Sequence, residues 1–271
     1  MFKWFGSLLL FISLTSHAQA GEVEGLADQV LLQSGTYEMI SSLPEQIRAH
    51  GSQQSPFETD RETSEKVINI LASSFNEAEV KSDLLEYMVA NYSSEDLKGI
   101  LEWLHSPLGN RISTAEIEAG SVEGQSNMMR YSATFSSNPP PQERVLLIQE
   151  FEKKLRLTKL TMDMIKTMMY GISKSFYTAS PEAERVSEQE FNAEVESMFL
   201  AMEPMLREQM WQQVILTSHY SYRDFSDAEL NSYINYLDSE PGKKYVQVGE
   251  GLLKVITDVF TKAFSELIED I

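Results

Sequence analysis

Cysteine is absent from all 271 residues, so disulfides, thiolate metal sites and thiol redox pairs are excluded together. Cations are scarce: 22 Lys and Arg stand against 41 Asp and Glu, a formal charge of -19. A field of that sign repels phosphate backbones and anionic headgroups, which argues against nucleic acid as a partner. Long apolar runs are missing too. No segment reaches the ~18 uninterrupted apolar residues that a membrane span needs, so no transmembrane segment is expected after the leader. Gly (13) and Pro (9) are few and fall mostly between segments. No Asn-Gly or Asp-Gly turn separates alternating runs, so there is no signal for a sheet.

The first twenty residues read as a secretory signal peptide. Lys3 supplies the positive start, Leu8 to Leu14 is an apolar run too short to span a bilayer, and Ala18-Gln19-Ala20 is a small-x-small cleavage site. Cleavage is expected after Ala20, with a periplasmic or secreted destination. No Cys stands at that point to accept a lipid.

Beyond the leader, apolar residues recur at three- and four-residue intervals, the spacing that keeps one face of a helix buried. The expected fold is all-α, a helical bundle. Helices are predicted over 25–50 (broken near Ser34-Gly35 and Pro44), 60–75, 77–91, 94–105, 109–134, 143–178, 186–222 (broken at Pro204), 226–238 and 242–269. Pro139-Pro140-Pro141 cannot continue a helix, because proline lacks an amide donor and biases its predecessor out of the α region. That places a linker or sharp corner at 138–142, between a module at 21–137 and a module at 143–271. The same prolines would equally punctuate one continuous bundle.

The two modules look related. Ser93–Arg111 lies on Ser226–Lys244 at a constant offset of 133 without a gap, and Ser93/Ser226, Leu97/Leu230, Leu104/Leu237, Ser106/Ser239 and Gly109/Gly242 are identical. Matching positions also have matching physical jobs. Ser93 and Ser226 are N-caps with Asp96 and Glu229 as box partners, and Tyr92 and Phe225 staple onto Leu97 and Leu230. Leu97, Ile100, Leu101 and Leu104 form one buried stripe, and Leu230, Tyr233, Ile234 and Leu237 form its counterpart, widened by Trp103 and Tyr236. Each helix ends in Ser, Pro and Gly: Ser106-Pro107-Leu108-Gly109 and Ser239-Glu240-Pro241-Gly242. Ser caps the next helix, Pro suits its first turn, and Gly allows close backbone approach. The unit is a helix-corner-helix used twice.

Those residues, Trp103 through Arg111 and Tyr236 through Lys244, resemble the motif of the domain-of-unknown-function family numbered 2059. The likeness is direct over about twenty residues per copy. The second copy departs from it by moving its proline one place. The resemblance implies an exported, all-helical module of Gram-negative bacteria, and that family assigns no catalytic residue to carry over.

Chemistry is therefore sought residue by residue. His50, His105 and His219 are far apart and lack any ligand spacing. His105 precedes the Ser-Pro corner, but its counterpart is Asp238, which excludes a shared histidine role. Ser106 and Ser239 lack a Gly-x-Ser-x-Gly setting and read as caps, not nucleophiles. Methionines cluster as Met162, Met164, Met168 and Met169, and as Met198, Met202, Met205 and Met210. Exported thioethers can hold Cu(I), which makes Met198, Met202 and Met205 copper candidates. The same spacing serves a core stripe, or a pliable groove for a lipid-like molecule or amphipathic peptide. Glutamates over 182–196 read as a solvated face at a helix start. Lys153, Lys154, Arg156, Lys159 and Lys166 form the one basic patch, interleaved with Phe151, Leu155, Leu157, Leu160 and Met164. That pattern would suit an amphipathic helix on a membrane surface; the more economical expectation is that the stems cover the bundle and the heads pair with the acidic second half.

These readings favour a periplasmic, non-enzymatic binding or interaction protein without a cofactor, its partner an envelope protein or an apolar ligand. The rival classes are an enzyme on an envelope substrate and a structural envelope protein using an exposed apolar patch.

Overall fold

The computed structural model describes residues 21–51, 65, 68–69, 72–181 and 185–266. The predicted signal peptide, its cleavage site after Ala20 and most of the helix predicted over 60–75 lie outside these residues. The described residues are mostly helical, with no strand among them. In chain order the helices are α1 (21–33), α2 (Thr36–Gly51), α3 (Glu77–Asn91), α4 (Ser94–His105), α5 (Pro107–Gly120) and α6 (Val122–Ser137). After the prolines come α7 (Gln142–Leu155), α8 (Leu157–Ala179), α9 (Glu188–Ser221), α10 (Asp227–Asp238) and α11 (Glu240–Glu266). Among the described residues no helix is long and apolar enough to cross a membrane.

The largest core cluster draws on both sides of Pro139–Pro141. Val30, Leu31, Leu84, Met88, Leu97, Ile100 and Leu104 meet Ile172, Val248, Leu252, Val255 and Phe260. Helix α11 lies against α3 and α4 as well as against α8. A second cluster, rich in aromatic rings, joins Ile112 of α5 to Phe151, Tyr222, Phe225 and Tyr233. A third, smaller one holds α8 against α9 through Met162, Met169, Phe191, Val195 and Phe199.

Two predicted helices are each two helices. The run predicted over 109–134 divides at Ser121, which starts α6 by accepting the Gly124 N–H on its hydroxyl at 3.0 Å. Ser121-Val122-Glu123-Gly124 thus repeats the Ser-x-x-Gly spacing of the other two corners. The run predicted over 143–178 bends at Arg156, whose φ of 57° places it in the left-handed region. That conformation costs a branched-free L residue roughly 1 kcal/mol, and no glycine or proline marks it. Glu152 supports the bend by accepting the Thr158 N–H at 3.1 Å, which caps α8 from the preceding helix.

Two predicted breaks, at Pro204 and Pro44, are not breaks. Helix α9 continues through Pro204. Proline removes a bond to the carbonyl of Leu200, and both residues lie on the exposed face of the helix, where such a loss costs least. Pro44 likewise sits inside α2, whereas Gly35 does turn the chain between α1 and α2, with φ 75°.

Candidate functional site

The residues singled out for capping do cap. Ser93 Oγ accepts from Asp96 N at 3.1 Å and Ser226 Oγ from Glu229 N at 3.3 Å, and both capping boxes are complete. At the corners Ser106 Oγ accepts from Gly109 N at 3.0 Å and Ser239 Oγ from Gly242 N at 3.2 Å. Ser106 and Ser239 have nearly the same backbone, φ -65° and ψ 151° against φ -71° and ψ 163°. Pro107 opens α5 at its first position and Pro241 follows one place later in α11. The shift changes nothing, because the first-turn amides have no partner inside a helix at either place. A Cβ on Gly109 would collide with the Trp103 carbonyl oxygen, and one on Gly242 with that of Tyr236.

The two units meet face to face through matching positions. Trp103 stacks on Tyr236 with centroids 4.2 Å apart and planes 6° from parallel. The Arg111 guanidinium lies over Phe225 at 4.8 Å, and Lys244 over Tyr92 at 5.4 Å. Arg111 pairs with Glu229 at 2.5 Å and Lys244 with Asp96 at 3.6 Å. Each contact is the reciprocal of the other at the offset of 133, as across a two-fold interface.

Behind this face lies a group that sequence reasoning missed. The carboxylate of Glu116 accepts from Tyr222 Oη at 2.5 Å and from Tyr233 Oη at 3.2 Å. Burial raises its pKa to about 7, with the two hydrogen bonds pulling the other way. Burial and this carboxylate push the phenols of Tyr222, Tyr233 and Tyr245 up in turn. A carboxyl held between phenols inside an aromatic cluster ties α5 to α9 and α10.

An open cleft lies instead at the Arg156 bend. It has a volume of about 510 Å³ and is lined by Lys153, Arg156, Lys159, Arg207, Glu152, Glu208, Thr158 and Trp211. A second hollow of about 260 Å³ shares Arg156 and Lys159 and extends to Asp163 and Glu250. Thr158 is 6% exposed, and its hydroxyl has no hydrogen-bond partner. The neighbouring cations hold weak partners: Arg156 pairs with Glu250 at 2.8 Å, Lys159 with Asp163, and Arg207 with Glu203. Lys153 is exposed and makes no ion pair among the described residues. Elsewhere in the basic patch Lys154 pairs with Asp238 and Lys166 with Glu196.

The remaining candidates do not converge on a site. Met198 is 48% and Met205 58% exposed, while Met202 is half-buried. The buried stripe of α9 is Phe191, Val195 and Phe199, so the methionines predicted to share it stand beside it. Met162 and Met169 are buried in α8. His105 is exposed at the end of α4, and the side chain of His50 lies outside the description. His219 is buried against Phe135 with Nε2 unpartnered. Burial, reinforced by Arg144, lowers its pKa to about 4. Among the described residues no group of three or more His, Asp or Glu is placed to hold a metal ion.

No family model matches the chain, and neither a curated protein nor a solved structure does.

Proposed function

We propose that the chain is an exported, non-enzymatic binding protein whose ligand seat is the cleft at the bend between α7 and α8. The signal-like start and the resemblance of both corners to the 2059 family support export to the periplasm. One observation carries the binding role. In a chain of net charge -19, Lys153, Arg156, Lys159 and Arg207 line one cleft together with Trp211. The Arg156 backbone is also the one non-glycine residue with positive φ among the described residues. Strain of that kind concentrates where a side chain must be aimed.

Titration calorimetry of the chain beginning at Gly21 with inorganic phosphate tests the reading. Saturable heat that weakens as salt rises, and is lost in the Lys153→Ala, Arg156→Gly double variant, is the expected result. Glycine at 156 relieves the backbone strain, so the double variant removes two of the four charges without breaking the bend. Absence of any saturable heat with phosphate and with phosphate esters would overturn it.

A further inference from the structure

We infer that the cleft at Arg156 accepts a phosphorylated sugar, an inference that rests on the binding role proposed above. Its lining is not that of a bare anion site. Lys153, Arg156, Lys159 and Arg207 supply donors and positive charge, but Glu152 and Glu208 bring carboxylates into the same cleft. Glu152 is 8% exposed and spends one oxygen on the Thr158 amide. Glu208 accepts from Gln212 at 2.6 Å. Carboxylates repel a polyanion and accept readily from hydroxyl groups. A ligand that suits both sets must carry an anionic group at one end and several hydroxyls at the other.

Size and the remaining wall agree. About 510 Å³ is far more than one tetrahedral anion fills and falls within the range of small-molecule sites, roughly 300–1,000 Å³. Trp211 lines the cleft and is half-buried. Its ring offers a flat apolar surface on which the C–H face of a pyranose can lie. Thr158 lies at the first turn of α8, but its hydroxyl is buried and its amide already donates to Glu152, so the phosphate is held by the cations and not by the helix end. The cations are free to reorient, since exposed ion pairs such as Arg156 with Glu250 contribute little and exchange for a phosphate readily.

The test is calorimetry on the chain beginning at Gly21 with glucose 6-phosphate, inorganic phosphate, glucose and adenosine monophosphate. Glucose 6-phosphate is expected to bind about tenfold tighter than inorganic phosphate, as one or two added hydrogen bonds and a stacked ring would give. Glucose alone should give no saturable heat over the same range. Trp211→Ala should erase the tenfold advantage while keeping phosphate binding. Because that variant also removes contacts to the core, nuclear magnetic resonance of the parent chain supplies a second reading. The indole N–H of Trp211 should move with glucose 6-phosphate and stay with inorganic phosphate, while that of Trp103 stays throughout. Equal affinity for phosphate and glucose 6-phosphate would overturn the sugar assignment and leave the anion cleft standing. Tighter binding of adenosine monophosphate would overturn it in favour of a nucleotide. Binding of none of the phosphates would overturn the cleft and the sugar together.

Discussion

The first and second corners share a backbone but not an interior. At the first, Glu116 projects into the phenols of Tyr222, Tyr233 and Tyr245. One offset of 133 away from each, the chain has Gly249, Val89, Ile100 and Ile112. A carboxyl between phenols on one side is answered by no side chain and three aliphatic ones on the other. What the corners keep in common is what the backbone requires: the serine cap, the glycine under a carbonyl and the stacked ring of Trp103 or Tyr236. The contrast teaches that the corner is specified by short-range backbone geometry, whereas each interior is filled by whatever closes without a void.

The hardest way to break the shared part is at the glycines. Gly109→Val and Gly242→Val each drive a branched side chain into a carbonyl of the preceding helix. Each should cost about 3 kcal/mol, read as a lower denaturant midpoint with reduced helicity. Gly249 is exposed and a Cβ there meets nothing, so Gly249→Ala should raise the midpoint by about 0.5–1 kcal/mol. If all three glycines responded alike, close approach at the corners would not be what selects glycine.

The unshared part breaks with pH. Glu116 has its pKa raised from 4.5 to about 7, so the folded chain binds this proton more tightly than the unfolded chain. Its stabilising share is full below about pH 4.5 and is lost as pH rises through about 7. Glu116→Gln keeps an acceptor for both phenols and never charges. It should match the parent in acid and exceed it by about 3 kcal/mol near pH 8. His219 acts in the opposite direction. With its pKa lowered to about 4, it contributes stability that is present above about pH 6.5 and lost as pH falls towards 4. Parent and variant share His219, so the difference between their urea midpoints against pH isolates Glu116. A flat difference would show that the carboxyl is not enclosed.

Smaller effects compare the caps. Ser93→Ala and Ser226→Ala each remove the acceptor for one first-turn amide. Each should cost about 1 kcal/mol, and the near equality of the two is the point of comparison. A cap that could be removed without loss would mean that its unit enters α4 or α10 by packing alone.

The caps, stripes and corners were legible because they are local: Ser93, Leu97, Ser106 and Gly109 act on residues within a turn or two of themselves. The third corner carried the same signal, Ser121-x-x-Gly124, without a proline to draw attention to it. The bend at Arg156 had no glycine or proline to mark it; Glu152, one turn back, gains its capping role only from the bend itself, and Glu250 is far along the chain. Glu116 was illegible for the same reason. Its partners stand 106 and 117 residues away, and one acid among 41 acidic residues has nothing in its own neighbourhood to distinguish it. The cleft beside Thr158 depends likewise on two helices meeting at an angle that periodicity does not encode.

The finest difference between the units lies on the face where they meet. Arg111 and Lys244 occupy matching positions and make matching contacts, yet Arg111 sits nearer both its ring and its carboxylate. A planar guanidinium can lie over Phe225 and reach Glu229 together, whereas an ammonium is a single point charge that must divide its position between Tyr92 and Asp96. Arg111→Lys should therefore lower the thermal midpoint slightly, and Lys244→Arg should raise it or leave it unchanged. Both shifts should shrink in high salt, because the carboxylates are reached by solvent. If Lys244→Arg lowered the midpoint as much as Arg111→Lys does, the two sides of the face would differ in shape and not merely in charge geometry. The match at the offset of 133 would then stop at the stacked rings of Trp103 and Tyr236.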